Sequence, residues 1–300
     1  MLLNEVIIPI LGPAFFAGIL WLAVWGPWRT APAEHESPTP IQHASLALAL
    51  GVGLLLGYLK LAGWPPFPAK TASQWLALLA IAWAVLGYGV ALLEAKRGPR
   101  MAVVAALALI GGALQSQVLM KHTWSVPVSV LWLAVFAVLV LLASEALSHA
   151  ARRQGGASAP IAGMLGAMGL FGSMLLSYSA FLGQLSAMLV SMMGAAVVVS
   201  WISKRFTLAG PGVTVFYVFY LSLIGHGYFY STLPGWTAIL LALAPFASVA
   251  ASLPAAWPQR SWKAFFVSVL LSGALAGGAT YIAYAARMAK VAAGGGSEGY

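Results

Sequence analysis

The chain contains no cysteine and no aspartate, and only 7% of its residues are charged. The missing cysteine removes disulfides, thiolate metal sites, cysteine nucleophiles and cysteine-ligated clusters together. The missing aspartate leaves all acidic chemistry to Glu5, Glu34, Glu36, Glu94, Glu145 and Glu298. That is too sparse for aspartate-based magnesium sites, aspartyl-phosphate chemistry or a carboxylate dyad, each of which draws on paired acids. It also weakens transport coupled to protons or sodium, where an intramembrane carboxylate is the usual carrier. The sequence has no P-loop, no G-x-S-x-G elbow, no H-E-x-x-H and no dinucleotide fingerprint after a strand. No cofactor and no metal is expected.

What is present is oil. Of 300 residues, 61% are hydrophobic, against roughly 45–50% in an average soluble domain. A bilayer core takes about 20 apolar residues per helical crossing, and apolar runs of that length cover approximately 6–26, 42–61, 74–94, 101–120, 126–148, 161–180, 184–202, 211–231, 235–254 and 263–286. The fold class is therefore all-α, a polytopic transmembrane helix bundle of ten crossings, or nine if 161–202 contains a bent or re-entrant stretch. Turn formers separate most crossings, as in TAPAEHESPTP, AGWPPFPAKTAS, EAKRGPR and RRQGGASAP. SYSAFLGQL is the weak boundary, with Gly183 its one turn signal.

One integral membrane domain is expected over 1–290, with halves at 1–150 and 160–290 and a flexible tail at 291–300. Five helices per half would suit an inverted repeat. The first apolar run follows no Lys or Arg and exceeds a signal core in length, so it is expected to stay as the first helix.

The formal charge of +9 comes from 15 Lys and Arg scattered through short connections, a pattern that sets membrane orientation and does not favour nucleic acid. Arg29, Lys96, Arg97, Arg100, Arg152, Arg153, Lys204, Arg205, Arg260 and Lys263 fall on one side, and Lys60, Lys70, Lys121, Arg287 and Lys290 on the other. The richer side is expected to be cytoplasmic, in a bacterial inner (cell) membrane. Trp25, Trp28, Trp64, Trp75, Trp124, Trp201, Trp236, Trp257 and Trp262 fall near helix ends, where indole rings favour the headgroup level. Gly53 with Gly57, Gly273 with Gly277, and the run Gly163, Gly166, Gly169, Gly172 read as helix contacts within the bundle.

Candidate site residues follow from polar groups at membrane depth. Ser222, His226 and Tyr230 share one face of the eighth crossing at four-residue spacing. Gln115 and Gln117 place amides in the fourth, about 200° apart, so one of them at most faces a given neighbour. Ser173, Ser177 and Gln184 would form another stripe if their helix continued. Buried uncharged amides and hydroxyls suit a small neutral or zwitterionic ligand, and also plain interhelical hydrogen bonds. The substrate-binding set expected is His226, Ser222, Gln115, Gln117, Ser177 and Gln184.

Three functions are consistent with this. The first is a permease or facilitator for a small neutral or zwitterionic molecule, with the lipid bilayer as its partner. The second is a non-catalytic membrane-embedded subunit or scaffold, with other membrane subunits as partners. The third is a membrane enzyme using Glu94, Glu145 and His149 at the cytoplasmic surface.

Overall fold

The computed structural model describes residues 7–26, 38–93, 96–254 and 261–295. These contain ten helices long and apolar enough to cross a membrane. The first eight are α1 (Ile8–Trp25), α2 (Pro40–Ala62), α3 (Ala72–Leu92), α4 (Arg97–His122), α5 (Val126–Gln154), α6 (Ser158–Leu176), α7 (Ala180–Ile202) and α8 (Pro211–Tyr230). The ninth span, Gly235–Ser252, is divided into α9 (Gly235–Leu243), a 3₁₀ turn (Ala244–Phe246) and α10 (Ala247–Ser252). The tenth is α11 (Trp262–Lys290). Thr39 with Gln42, and Thr71 with Gln74, close capping boxes that start α2 and α3.

Nine or ten crossings is thus resolved in favour of ten, and the turn does not lie at Gly183. The chain reverses over 177–179 through Tyr178, whose φ of 60° is left-handed. Gly183 sits within α7, where an added Cβ would come 2.9 Å from Leu175. A tyrosine in this conformation gives no recognisable turn signal in sequence. The break therefore places Ser173 and Ser177 on one side of a turn and Gln184 on the other, and the single polar stripe does not form.

α8 is the axis of the bundle. It contacts α2, α3, α5, α7 and α9, and 83% of its membrane window is buried. Around it the other helices close a ring in the order α1, α2, α3, α4, α5, then α10 and α9, then α11, α6, α7 and back to α1. α3 lies in the ring while α8 lies at the centre, so these two do not occupy equivalent places. An apolar α8 with aromatic side chains on every face is what such a position selects, because a helix facing protein all round needs no lipid or water stripe.

Polar contacts tie the axis to the ring. Ser144 and Thr214 hydroxyls meet at 2.7 Å between α5 and α8. Tyr220 donates to the Leu241 carbonyl at 2.7 Å and Tyr217 to the Ala242 carbonyl at 3.0 Å, both on α9. At the basic end Trp21 and Trp25 pack on Phe206, with ring centroids 5.5 and 5.4 Å apart, and their indole N–H groups donate to the Ser45 carbonyl and hydroxyl at 3.2 Å. Trp25 is consequently a core residue and no headgroup anchor: Ser45 satisfies its N–H, so the ring does not need the interface. Trp64, Trp201, Trp236 and Trp262 are exposed at helix ends, as expected of anchors; Trp28 and Trp257 lie outside the described residues.

The glycines divide. Gly53 and Gly57 admit the Met192 and Met188 sulfurs between α2 and α7, and Gly169 lets α6 approach Ala276 of α11. Gly273 and Gly277 do not behave this way: a Cβ there would meet nothing within 4 Å. They occupy an outward face of α11 and make no contact inside the bundle.

Candidate functional site: a histidine cavity between α4, α5 and α8

α4, α5 and α8 converge at the end of the bundle away from the basic loops. Of the expected set, Gln115, Ser222 and His226 line one cavity of about 60 Å³. That is room for about four waters, at the roughly 10–15 Å³ one water requires. Ser116 and Tyr230 complete its polar lining, and Trp124, Trp132, Phe136 and Phe229 supply most of its wall. The wall is a contiguous aromatic set, with Phe229 edge-on to Trp124 at 4.9 Å and to Trp132 at 5.0 Å.

His226 lies one turn before the end of α8, about 6 Å along the axis at 1.5 Å per residue. Its Nδ1 is 2.7 Å from the Ser222 carbonyl, four residues back on the same helix. A carbonyl can only accept, so Nδ1 carries hydrogen and, in the neutral ring, Nε2 is an acceptor. Nε2 is buried on the side of the ring where the Ala72 backbone, at the start of α3, comes within reach, and the Ser222 hydroxyl is buried without a hydrogen-bond partner. Tyr230 donates to the Gln115 carbonyl at 3.0 Å and fastens the end of α8 to α4. Ser116 bonds back to Gly112 at 2.6 Å. A buried polar atom without a partner costs about 1–3 kcal/mol, and the Ser222 hydroxyl is one, on a residue that lines the cavity one helical turn from His226.

The remaining expected residues are elsewhere. Gln117 is half-buried on another face of α4. Ser177 is buried at the end of α6, where its carbonyl accepts from Ser231 at 2.7 Å. Gln184 is half-buried on α7. None of the three lines the cavity. The aromatic wall was missed, because Trp132, Phe136 and Phe229 are indistinguishable in sequence from lipid-facing residues, and Trp124 reads as a headgroup anchor.

The cavity shares Trp132, Phe136, Leu221, Gly225 and Phe229 with an apolar crevice of about 290 Å³ between α5, α8 and α9. Among the described residues no Lys, Arg or Glu lines either space.

A separate cavity of about 940 Å³ lies at the basic end, lined among others by His43, Arg97, Arg100, Glu145, His149 and Arg152. Glu145 pairs with Arg97 at 3.2 Å and with the buried Arg100. A carboxylate held between two guanidiniums is a clamp on α4. Glu94, the other acid of the enzymatic reading, lies outside the described residues. Among those residues no three His, Cys, Asp or Glu side chains converge as a metal site would require.

Comparison with protein-family models, with curated proteins and with solved structures yields no match. The assignment of a role rests on the geometry alone.

Proposed function

We propose that this integral membrane protein is a permease or facilitator for a small, uncharged, hydrogen-bonding molecule, with the His226 cavity as its binding site in a closed state. The observation that supports the reading is that His226, Gln115 and Ser222, the last with a buried hydroxyl lacking a partner, line one cavity. An acceptor nitrogen beside a hydroxyl suits a ligand with an O–H or N–H to donate. The neutral half of the earlier expectation is kept and the zwitterionic half dropped, because a charge brought into a lining without ionic partners would be stranded in a low-dielectric site. Gln115 offers a further amide, and the aromatic wall excludes bulk water.

The test is osmotic. Proteoliposomes carrying the full chain are mixed rapidly with glycerol or urea, and reswelling is followed by light scattering. Faster reswelling than in empty vesicles, lost in the Ser222→Ala/His226→Phe double variant, is expected. Reswelling indistinguishable from empty vesicles across a panel of small polyols and amides would reject the permease.

One observation favours the second reading, a non-catalytic membrane subunit: α8 fills the axis, so no wide path follows it. Reproducible co-purification of a stoichiometric membrane partner, with inert proteoliposomes, would select that reading.

A further inference from the structure

The crevice beside the His226 cavity is a gap in the ring of helices. α5 packs against α8 and α10, and α9 packs against α8, but α5 and α9 hardly meet. The 3₁₀ turn at Ala244–Phe246 separates α10, which packs on α5, from α9, which stands off it. The gap is lined from 132–139 of α5, 221–229 of α8 and 235–242 of α9, stretches of about 10–12 Å at 1.5 Å per residue. Val135, Tyr228 and Ile239 along it are exposed, and an exposed side chain within a spanning helix faces acyl chains. Trp132 and Phe229 line both the gap and the His226 cavity, so the two spaces adjoin across these rings. The pair is apolar on the lipid side and polar at its inner end, where the buried Ser222 hydroxyl lies.

We infer that the His226 site takes an amphiphile sideways from the bilayer, with an uncharged hydroxyl head seated at Ser222 and Gln115 and a single alkyl chain lying in the crevice between α5, α8 and α9. The inference rests on reading the His226 cavity as a ligand site. A phospholipid acyl chain would also fit an apolar crevice, but its charged headgroup gains nothing from a polar end that carries, among the described residues, no ionic partner. Ser222 Oγ, buried and unpartnered, can both donate and accept, and an alcohol answers both roles. The Gln115 amide is buried on α4 and lines the same cavity, which adds a second polar contact. Lipid tails are as apolar as the crevice, so the chain gains packing there while the head's hydrogen bonds select the molecule. A ligand that arrives through lipid needs no aqueous path along the axis, which α8 fills.

The full chain in phosphatidylcholine nanodiscs is photolabelled with a ten-carbon primary alcohol carrying a diazirine in its chain, and labelled peptides are mapped by mass spectrometry. Label is expected on the crevice stretches of α5 and α9. At matched membrane concentrations 1-decanol is expected to displace it about fivefold better than methyl decyl ether, which keeps the chain and cannot donate, the size of one neutral hydrogen bond. Ser222→Ala is expected to erase that preference. Ile239→Trp, which fills the crevice from an exposed position, is expected to abolish the label there, and Leu243→Trp, at an exposed residue of α9 outside the crevice, is expected to keep it. Thermal melts of all variants report folding, and if Ile239→Trp does not fold, Ser222→Ala decides. Equal displacement by alcohol and ether in the unaltered protein, or label spread evenly over lipid-facing helices, overturns the inference. Alcohol-selective labelling with vesicles inert to glycerol upholds the amphiphile and rejects permeation of small solutes; glycerol reswelling without alcohol-selective labelling upholds the permease and overturns the amphiphile.

Discussion

Tyr220 donates its phenolic hydrogen to the carbonyl of Leu241, which lies four residues before Pro245. That carbonyl is the one a proline deprives of its helical partner, since Pro245 has no N–H to return to it. In water the freed group would be solvated; in hydrocarbon it must find a donor within the protein. The Ala244 N–H, shared with the Leu240 carbonyl, reaches it and the axis helix adds the Tyr220 hydroxyl, so the break between α9 and α10 becomes a joint attached to α8.

This predicts a coupled pair. Tyr220→Phe leaves the Leu241 carbonyl with only the Ala244 N–H, which it shares with the Leu240 carbonyl, and is expected to lower stability by about 1 kcal/mol. Pro245→Ala restores the helical N–H, so the same Tyr220→Phe change in that background is expected to cost less. Thermal unfolding of the two single variants and the double variant in one detergent gives the coupling. Strictly additive effects would show that the phenol and the proline act separately.

The glycines make a contrast that sequence spacing hides. At Gly51 an added Cβ would come 2.6 Å from the Ala80 carbonyl, a backbone atom that cannot step aside. Gly51→Val is expected to separate α2 from α3 and cost several kcal/mol, in the range of other severe overpacking. Gly273→Ala adds a methyl to open space and is expected to be neutral or to stabilise by up to about 1 kcal/mol through backbone entropy. The melting temperature should fall for Gly51→Val and hold or rise for Gly273→Ala, and a large loss at Gly273→Ala would mean that this face of α11 is covered in the purified protein.

How much of this was legible beforehand follows from what lipid selects. Length and apolarity placed nine or ten crossings, because every span must be long and satisfied internally whatever it packs against. The ring and its axis were not legible. α8 is buried on all sides and α5 largely faces outward, yet both are apolar all round, and amphipathic periodicity, the usual guide to the inner face, is absent in hydrocarbon. His226 and Ser222 stood out because polar residues at membrane depth are rare. Gln117 and Gln184 stood out for the same reason and do not line the cavity, since polarity shows that a residue is unusual in lipid and is silent about which neighbour it meets. The paired role of Glu145 was also hidden: its partners, Arg97 and Arg100, come from a different helix.

That clamp supports a third prediction. Glu145→Gln removes the carboxylate from two guanidiniums, one of them buried. Losing the carboxylate of a part-buried ion pair weakens the compensation of a buried charge, for which a cost of about 2 kcal/mol is expected. Arg97→Gln removes the exposed member and is expected to cost under about 1 kcal/mol. Chemical denaturation of both variants, monitored by tryptophan fluorescence, ranks them; equal costs would show that burial of Arg100 contributes nothing.

The last prediction sets stability against function at one residue. The Ser222 hydroxyl is buried without a partner, so the folded protein carries a desolvation cost there that an alanine would not. Ser222→Ala is therefore expected to raise the melting temperature while slowing solute reswelling of proteoliposomes, the opposite signs marking a group kept for a ligand. Ser173 provides the control, since its hydroxyl is likewise buried and unpartnered but does not line the cavity. Ser173→Ala is expected to stabilise to a similar degree and leave reswelling unchanged. If both serine variants stabilise and neither alters reswelling, the unpartnered hydroxyl at Ser222 serves no ligand and the His226 cavity loses its claim to be the site.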